Sequence, residues 1–188
     1  MAIQQGATNT FKLGLPKGNF DFDVDTFKIA LYTGAASIGP DTTAYTTDGE
    51  TVASGYTAGG ETLTVTQAPT IGNQTGIATV YLSFANVTWN SALIARGALI
   101  YKSGSGNPTV CVLDFGSDKS STTTFTVQFP AATDTAAIIR ISLAASIARS
   151  RSCFICSSFF RTSLKTSERS SRERNHKISH TSIESVLS

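Results

Sequence analysis

Residues 26–33 read Thr-Phe-Lys-Ile-Ala-Leu-Tyr-Thr, and this stretch decides the fold class. Phe27, Ile29 and Leu31 stand at every second position, which is the period of a β-strand with one face in the core. Similar short stretches follow along the chain, and turn residues separate them. They cover residues 61–67, 77–84, 96–102, 109–115, 122–129 and 137–141. This pattern predicts an all-β domain.

The connections between these stretches carry turn chemistry. The Gly-, Asn- and Pro-containing segment 103–108 predicts a hairpin between residues 96–102 and 109–115. Residues 116–121 are expected to connect the next pair of strands, and residues 34–60 to form a long excursion with at most short strands. We therefore expect about seven to nine strands in a two-sheet antiparallel sandwich of the jelly-roll or immunoglobulin-like type.

The composition changes abruptly after Ile141. All fifteen glycines, all five prolines and the single tryptophan precede this position, whereas residues 142–188 contain fourteen serines and two of the three cysteines. Residues 1–141 carry seven Lys/Arg and ten Asp/Glu, while residues 142–188 carry eight and three, so the net charges are −3 and +5. We expect a β-sandwich domain in residues 1–141 and a poorly ordered or marginally helical Ser/Arg-rich tail in residues 142–188.

Two interpretations of this tail stay open. Its Ser/Arg bias and its lack of Gly, Pro, Asp, Trp and Tyr are typical of out-of-frame translation. Alternatively, the basic residues 167–180 bind nucleic acid or form a disordered arm. Because the positive charge lies in the tail, we expect no nucleic-acid binding by the domain.

The domain lacks the residue combinations that catalysis near neutral pH usually needs. It has no histidine, its acidic residues are scattered, and Cys111, a small core residue in our interpretation, has no His partner. In the tail, Cys153 and Cys156 form a C-x-x-C with His176 and His180 further on, but without a second cysteine pair this is a weak metal motif. We expect no catalytic residue, no metal, no cofactor and no enzymatic activity.

The one acidic cluster in the domain lies at residues 21–25 (Asp-Phe-Asp-Val-Asp), which contain three of its ten acidic residues. An EF-hand loop beginning here would need Gly and Glu where Thr26 and Tyr32 stand, so only a calcium site of another kind is left open. The preferred interpretation is an edge or lead-in strand whose charges prevent edge-to-edge association. Phe22 and Val24 would then face the core.

The long excursion at residues 33–60 is the expected binding surface, because surface loops often carry binding residues. Within it, Tyr45 and Tyr56 are the predicted binding-loop residues. A single Trp in a small β domain is more often a core residue than a sugar-stacking one, so Trp89 is predicted to be buried. The longest apolar stretches have only four residues, far too few to span a bilayer, and no membrane association is expected.

Six motifs in order resemble a family of small virion proteins of tailed bacteriophages. They are DTFKIALYT at 25–33, GYTAGG at 55–60, RGALIY at 96–101, CVLDFG at 111–116, FTVQFP at 125–130 and AIIR at 137–140. The resemblance covers roughly residues 20–141, and residues 142–188 depart from it. The resemblance implies no site residue in this chain.

The resemblance implies a structural or accessory protein of the virion and not an enzyme. Its expected partners are other virion proteins, namely capsid or tail subunits, and further copies of itself in a homo-oligomer. The expected role is capsid decoration or tail assembly by multivalent protein–protein contacts. The alternative function is a receptor- or carbohydrate-binding module of the phage tail.

Overall fold

The computed structural model describes residues 3–74 and 76–142, which form ten β-strands and one short α-helix. In chain order these are β1 (Gly6–Ala7), α1 (Asn9–Gly14), β2 (Phe27–Tyr32), β3 (Glu61–Leu63), β4 (Val65–Gly72), β5 (Thr79–Phe84), β6 (Val87–Trp89), β7 (Ile94–Lys102), β8 (Thr109–Ser120), β9 (Phe125–Val127) and β10 (Ile139–Ser142). The all-β prediction is confirmed. The predicted tail, residues 142–188, lies outside the described part of the chain except for its first residue.

The strands form three antiparallel sheets. The largest has the order β1-β8-β7-β2-β3, the second has the order β10-β5-β4, and β6 pairs with β9. The predicted hairpin is present, since β7 and β8 pair along most of their length at the centre of the largest sheet. No helix among the described residues is long and apolar enough to cross a membrane.

Both faces of the largest sheet are covered. One face contributes Ile29, Leu31 and Ile100 to a cluster that also contains buried residues of the two smaller sheets, such as Leu82 and Phe125. The opposite face contributes a second cluster, whose members are Ile3, Ala30, Tyr32, Ala36, Ile38, Leu99, Tyr101 and Val112. Because Ala36 and Ile38 belong to the excursion, that segment packs on the sheet as a cover.

Two predicted boundaries are wrong. Residues 61–67 do not form one strand, because the chain leaves the largest sheet after β3, passes through Thr64 and enters the second sheet as β4. The backbone N–H of Ala85 donates to the Thr64 carbonyl at 2.8 Å, which fixes this transition. Residues 116–121 are also not a simple connection, since β8 continues to Ser120, which pairs with Ile94.

The acidic segment 21–25 is a turn and not a lead-in strand, so that prediction is wrong. The backbone N–H of Asp21 donates to Asp25 Oδ2 at 2.8 Å, and the N–H of Asp23 donates to Asp21 Oδ1 at 3.0 Å. Phe22 is buried as predicted, but Val24 is 80% exposed. Burial acts to raise the pKa of Asp25, but the hydrogen bond with the Asp21 N–H and the ammonium of Lys102 outweigh it, and that pKa is lowered.

Candidate functional site

The excursion between β2 and β3 completes the edge of β2. Since β3 pairs only with residues 27–29, the edge beyond them is open to other backbone partners. The N–H of Thr51 donates to the Leu31 carbonyl at 2.8 Å, and the N–H of Thr33 donates to the Gly49 carbonyl at 2.9 Å. Tyr32 and Glu50 form an isolated β-bridge between these two bonds. The excursion is therefore anchored to the sheet at its middle.

Glu50 is the polar centre of this anchor. Its side chain is buried, and the residue is only 7% exposed. The Tyr45 hydroxyl donates to Oε2 at 2.6 Å, while the Tyr56 hydroxyl and the Gly59 N–H donate to Oε1, each at 2.8 Å. A buried carboxylate is costly unless donors surround it, and hydrogen bonds to a charged group are stronger than neutral ones. These three donors stabilise Glu50 inside the protein.

Two further tyrosines complete what we call the Glu50–tyrosine cluster, which comprises Glu50, Tyr32, Tyr45, Tyr56 and Tyr101. The Tyr32 hydroxyl donates to the Thr46 carbonyl, and the Tyr101 hydroxyl donates to the Gly59 carbonyl at 2.7 Å. The rings of Tyr45 and Tyr101 stack at 4.8 Å. The Tyr56 hydroxyl accepts the Leu31 N–H at 2.8 Å and thereby joins the cluster to β2.

The four tyrosines of the cluster all have raised pKa values. Burial of the hydroxyl is the largest cause in each case, and the nearby Glu50 carboxylate raises the pKa of each further. The hydroxyls therefore remain protonated donors well above neutral pH. Because they point at Glu50 and at backbone carbonyls, the arrangement fixes the excursion on the sheet and presents no free acid–base pair.

The excursion also forms an open groove of about 690 Å³ beside the cluster. Residues 37–46 and Gln4 line it, so its surface is rich in Thr and Ser hydroxyls, with an amide, a carboxylate and a tyrosine ring. The backbone N–H of Tyr45 donates to the Asn107 carbonyl at 3.0 Å, and the Asn9 side-chain amide donates to Asp41 Oδ1 at 2.6 Å. The walls of the groove are thus held by contacts to other parts of the chain.

The structure brings the two predicted binding-loop residues to opposite sides of Glu50. Tyr45 is half-buried and lines the groove, while Tyr56 packs against the main core with its ring 6.2 Å from that of Trp89. Both hydroxyls point inward, and the prediction that these residues bind a ligand stays a prediction. Glu50 itself was not predicted, because a lone Glu in a Thr- and Gly-rich stretch gives no pattern that reveals its long-range partners.

The remaining candidates are accounted for as follows. Trp89 is 2% exposed, as predicted for a core residue. Cys111 is also a core residue as predicted, and burial raises the pKa of its thiol to about 12. No group of three His, Cys, Asp or Glu side chains in the described part of the chain could hold a metal ion. The C-x-x-C and both histidines lie outside that part.

Comparison of the chain with models of protein families, with curated proteins and with solved structures gives no match in any of the three.

Proposed function

We propose that the protein is a structural component of a tailed-phage virion that docks on capsid or tail subunits through many weak contacts. The ordered resemblance of its motifs to small virion proteins supports this role. One structural observation carries it: the buried Glu50 carboxylate fixes an excursion of more than twenty residues as a rigid surface feature. A preorganised loop loses little conformational freedom when it docks, which favours binding.

We infer that the three sheets are arranged as a two-layer sandwich of the jelly-roll or immunoglobulin-like type. The support is the main cluster, in which buried residues of the largest sheet lie together with those of the two smaller sheets. Two packed layers around one apolar core are the usual solution for antiparallel sheets. Such a body is stiff enough to present loops at fixed positions.

The distribution of exposed aliphatic side chains supports docking by several small contacts. Large apolar side chains are exposed at six described positions, namely Leu13, Val24, Val52, Ile71, Ile77 and Ile94. They lie in different parts of the chain. The Thr51 hydroxyl donates to the Ile94 carbonyl at 2.9 Å, which brings the backbone next to Val52 close to that of Ile94. Several weak contacts made by many copies give high avidity without one large interface.

Co-purification with particles tests this role. We expect the protein to band with intact virions at a fixed high copy number, and a particle reconstruction to place it against capsid or tail subunits. Peptide mass spectrometry of purified virions measures its abundance relative to the capsid protein. If peptides from residues 3–142 are absent from particles but present in infected cells, the proposal fails. The proposal assigns the protein no enzymatic activity.

The groove beside the Glu50–tyrosine cluster favours the alternative, a receptor- or carbohydrate-binding module of the tail. Hydroxyl, amide and carboxylate groups beside an aromatic ring are the groups with which proteins bind sugars. The variant Thr43→Arg would fill the groove, and Thr122→Arg at an exposed position outside it is the matched control. On a glycan array we expect signal from the control and none from Thr43→Arg. An array without signal for the unmodified protein contradicts the alternative.

A further inference from the structure

The N-terminal region carries two exposed halves of opposite charge. The basic half belongs to α1 and the residues that follow it, where Lys12, Leu13 and Lys17 are exposed. The Leu13 side chain is 60% exposed. Within the described residues neither lysine makes an ion pair or a hydrogen bond through its ammonium group. Two positive charges thus flank an exposed aliphatic side chain.

The acidic half is the turn at residues 21–25. Asp21 and Asp23 are exposed beside Val24, which is 80% exposed. Two internal hydrogen bonds close the turn, and Lys102 Nζ pairs with Asp25 Oδ2 at 2.6 Å. The carboxylate of Asp23 has no partner in the part of the chain that the structure describes. This half mirrors the first: an exposed aliphatic side chain with charges beside it, but of the other sign.

An aromatic cluster beneath fixes the two halves relative to each other. The Phe11 ring of α1 lies 5.2 Å from that of Phe20 and 6.0 Å from that of Phe22. Phe22 in turn stacks on Phe27 of β2 at 4.4 Å. A Cβ at Gly14 would lie 2.3 Å from the Phe20 ring, so the helix approaches the turn as closely as glycine allows. This packing fixes the backbone of α1 relative to that of the turn, and we call the exposed side chains of residues 12–24 the N-terminal surface.

We propose that this surface binds a second copy of the chain about a two-fold axis, with Lys12 and Lys17 of each copy facing Asp21 and Asp23 of the other. A two-fold interface needs a self-complementary patch, in which each contact occurs twice. Opposite charges on the two halves provide this complementarity, and the exposed Leu13 and Val24 add apolar area. The inference deepens the proposed function, on which it rests, by naming the surface through which copies associate.

Charge reversal on the full-length protein tests the interface. Lys12→Glu with Lys17→Glu makes both halves acidic, whereas Asp23→Lys with Val24→Lys makes the acidic half basic. Asp21 is left unchanged because its Oδ1 accepts the Asp23 N–H. The dimer of each variant alone should have a dissociation constant at least about tenfold higher than that of the unmodified dimer, because like charges then face each other. An equimolar mixture of the two variants should recover the association.

Analytical ultracentrifugation of the two variants and their mixture provides the readout. The exposed Lys119→Glu on β8 is the matched control for a change of charge, and circular dichroism checks that each variant is folded. A dimer that weakens with salt and is restored only in the mixture supports the interface. A monomer at the highest soluble concentration, an oligomer larger than a dimer, or a dimer that neither variant affects overturns it.

Three further outcomes separate this interface from other partners and from the proposed function. If only the Asp23→Lys/Val24→Lys variant loses association, the acidic half binds another basic segment, such as residues 142–188, and the inference is wrong. Co-purification with virions is measured separately. Variants that fail to self-associate but still band with particles would leave the proposed function intact, whereas dimers that never reach particles would contradict the proposed function alone.

Discussion

At the residue scale, Glu50 joins parts of the chain that belong to different elements. Through Tyr56 it is connected to the backbone of β2, through Gly59 to the approach to β3, and through Tyr45 to the wall of the groove. Each of these three groups donates a hydrogen bond to the Glu50 carboxylate. The stability of the excursion therefore depends on one carboxylate.

Replacing that carboxylate should be costly. Glu50→Ala leaves the buried Gly59 N–H and two half-buried tyrosine hydroxyls without their acceptor. An unsatisfied buried donor costs about 1–3 kcal/mol, so we expect the free energy of unfolding in urea to fall by at least about 2 kcal/mol. Asp48→Ala, which removes an exposed carboxylate two residues away, should change it by less than about 0.5 kcal/mol. Equal effects of the two substitutions would contradict this role of Glu50.

The tyrosines of the cluster give the protein a specific sensitivity to alkali. A raised pKa means that the unfolded chain loses its hydroxyl protons first, near pH 10, while the folded chain keeps them. The stability that the protonated tyrosines contribute to the folded state is fully present below pH 10 and is lost as pH rises toward their pKa values in the folded protein. For the fully buried Tyr32 the slope approaches about 1.4 kcal/mol per pH unit.

We therefore expect stability to fall steeply above pH 10, with tyrosinate absorbance appearing together with the loss of tertiary structure. A titration followed by both near-ultraviolet absorbance and circular dichroism measures the two events. Four tyrosines that ionise near pH 10 in a protein that stays folded would contradict the raised pKa values.

At the scale of elements, the connection from the excursion into β3 depends on a close backbone approach. Gly60 has a φ of +68°, and a Cβ there would lie 1.8 Å from the carbonyl oxygen of Ile29. Gly18 has nearly the same φ, +67°, but no atom lies within 4 Å of its Cβ position. The two glycines differ in the space around them and hardly at all in backbone conformation.

Alanine substitutions at Gly18 and Gly60 separate the cost of a steric clash from the cost of a strained backbone conformation. Gly18→Ala should cost only the left-handed conformation, about 1–2 kcal/mol. Gly60→Ala should cost more than about 3 kcal/mol, because β2 and the start of β3 must also move apart. Chemical denaturation of the two variants under the same conditions gives the difference. If both substitutions lower the free energy of unfolding equally, the close approach at Gly60 does not contribute to the cost of a side chain there.

The elements also show where sequence patterns are informative. The longer strands β2, β7 and β8 could be predicted because their period or their uniform apolarity extends over at least six residues. β1 and β6 have two and three residues, too few to establish a period. The short helix α1 was not predicted either. Its cap is a single local hydrogen bond, from the Phe11 N–H to the Thr8 hydroxyl, and six residues are too few to show a helical period. The anchoring of the excursion by Glu50 depends on contacts between residues distant from any repeating pattern.

At the scale of the whole molecule, the described domain closes on its last strand. Ile139 is buried, and β10 pairs with β5 in register from Ile139 to Ser142. The predicted boundary at Ile141 lies within this strand, where the apolar pattern ends. Both apolar clusters are formed by residues between Ile3 and β10.

Removal of residues 145–188 tests whether this domain is sufficient. We expect the truncated protein to have a melting temperature within about 3 °C of that of the full chain, which corresponds to less than about 1 kcal/mol. Under the proposed function, the truncated protein should also bind virion particles as well as the full chain does. Differential scanning calorimetry and a particle pull-down give the two values. Unfolding of the truncated chain would mean that the tail is part of the fold.

The passage of the backbone through Thr64 has a mechanical consequence. β3 belongs to the largest sheet and β4 to the second, so a single residue of covalent chain spans the two. Tension applied to one sheet reaches the other through peptide bonds, without first breaking side-chain packing. The two sheets are therefore covalently linked at this point. A shear force would have to separate β3 or β4 from its neighbouring strand before the two sheets could slide past each other.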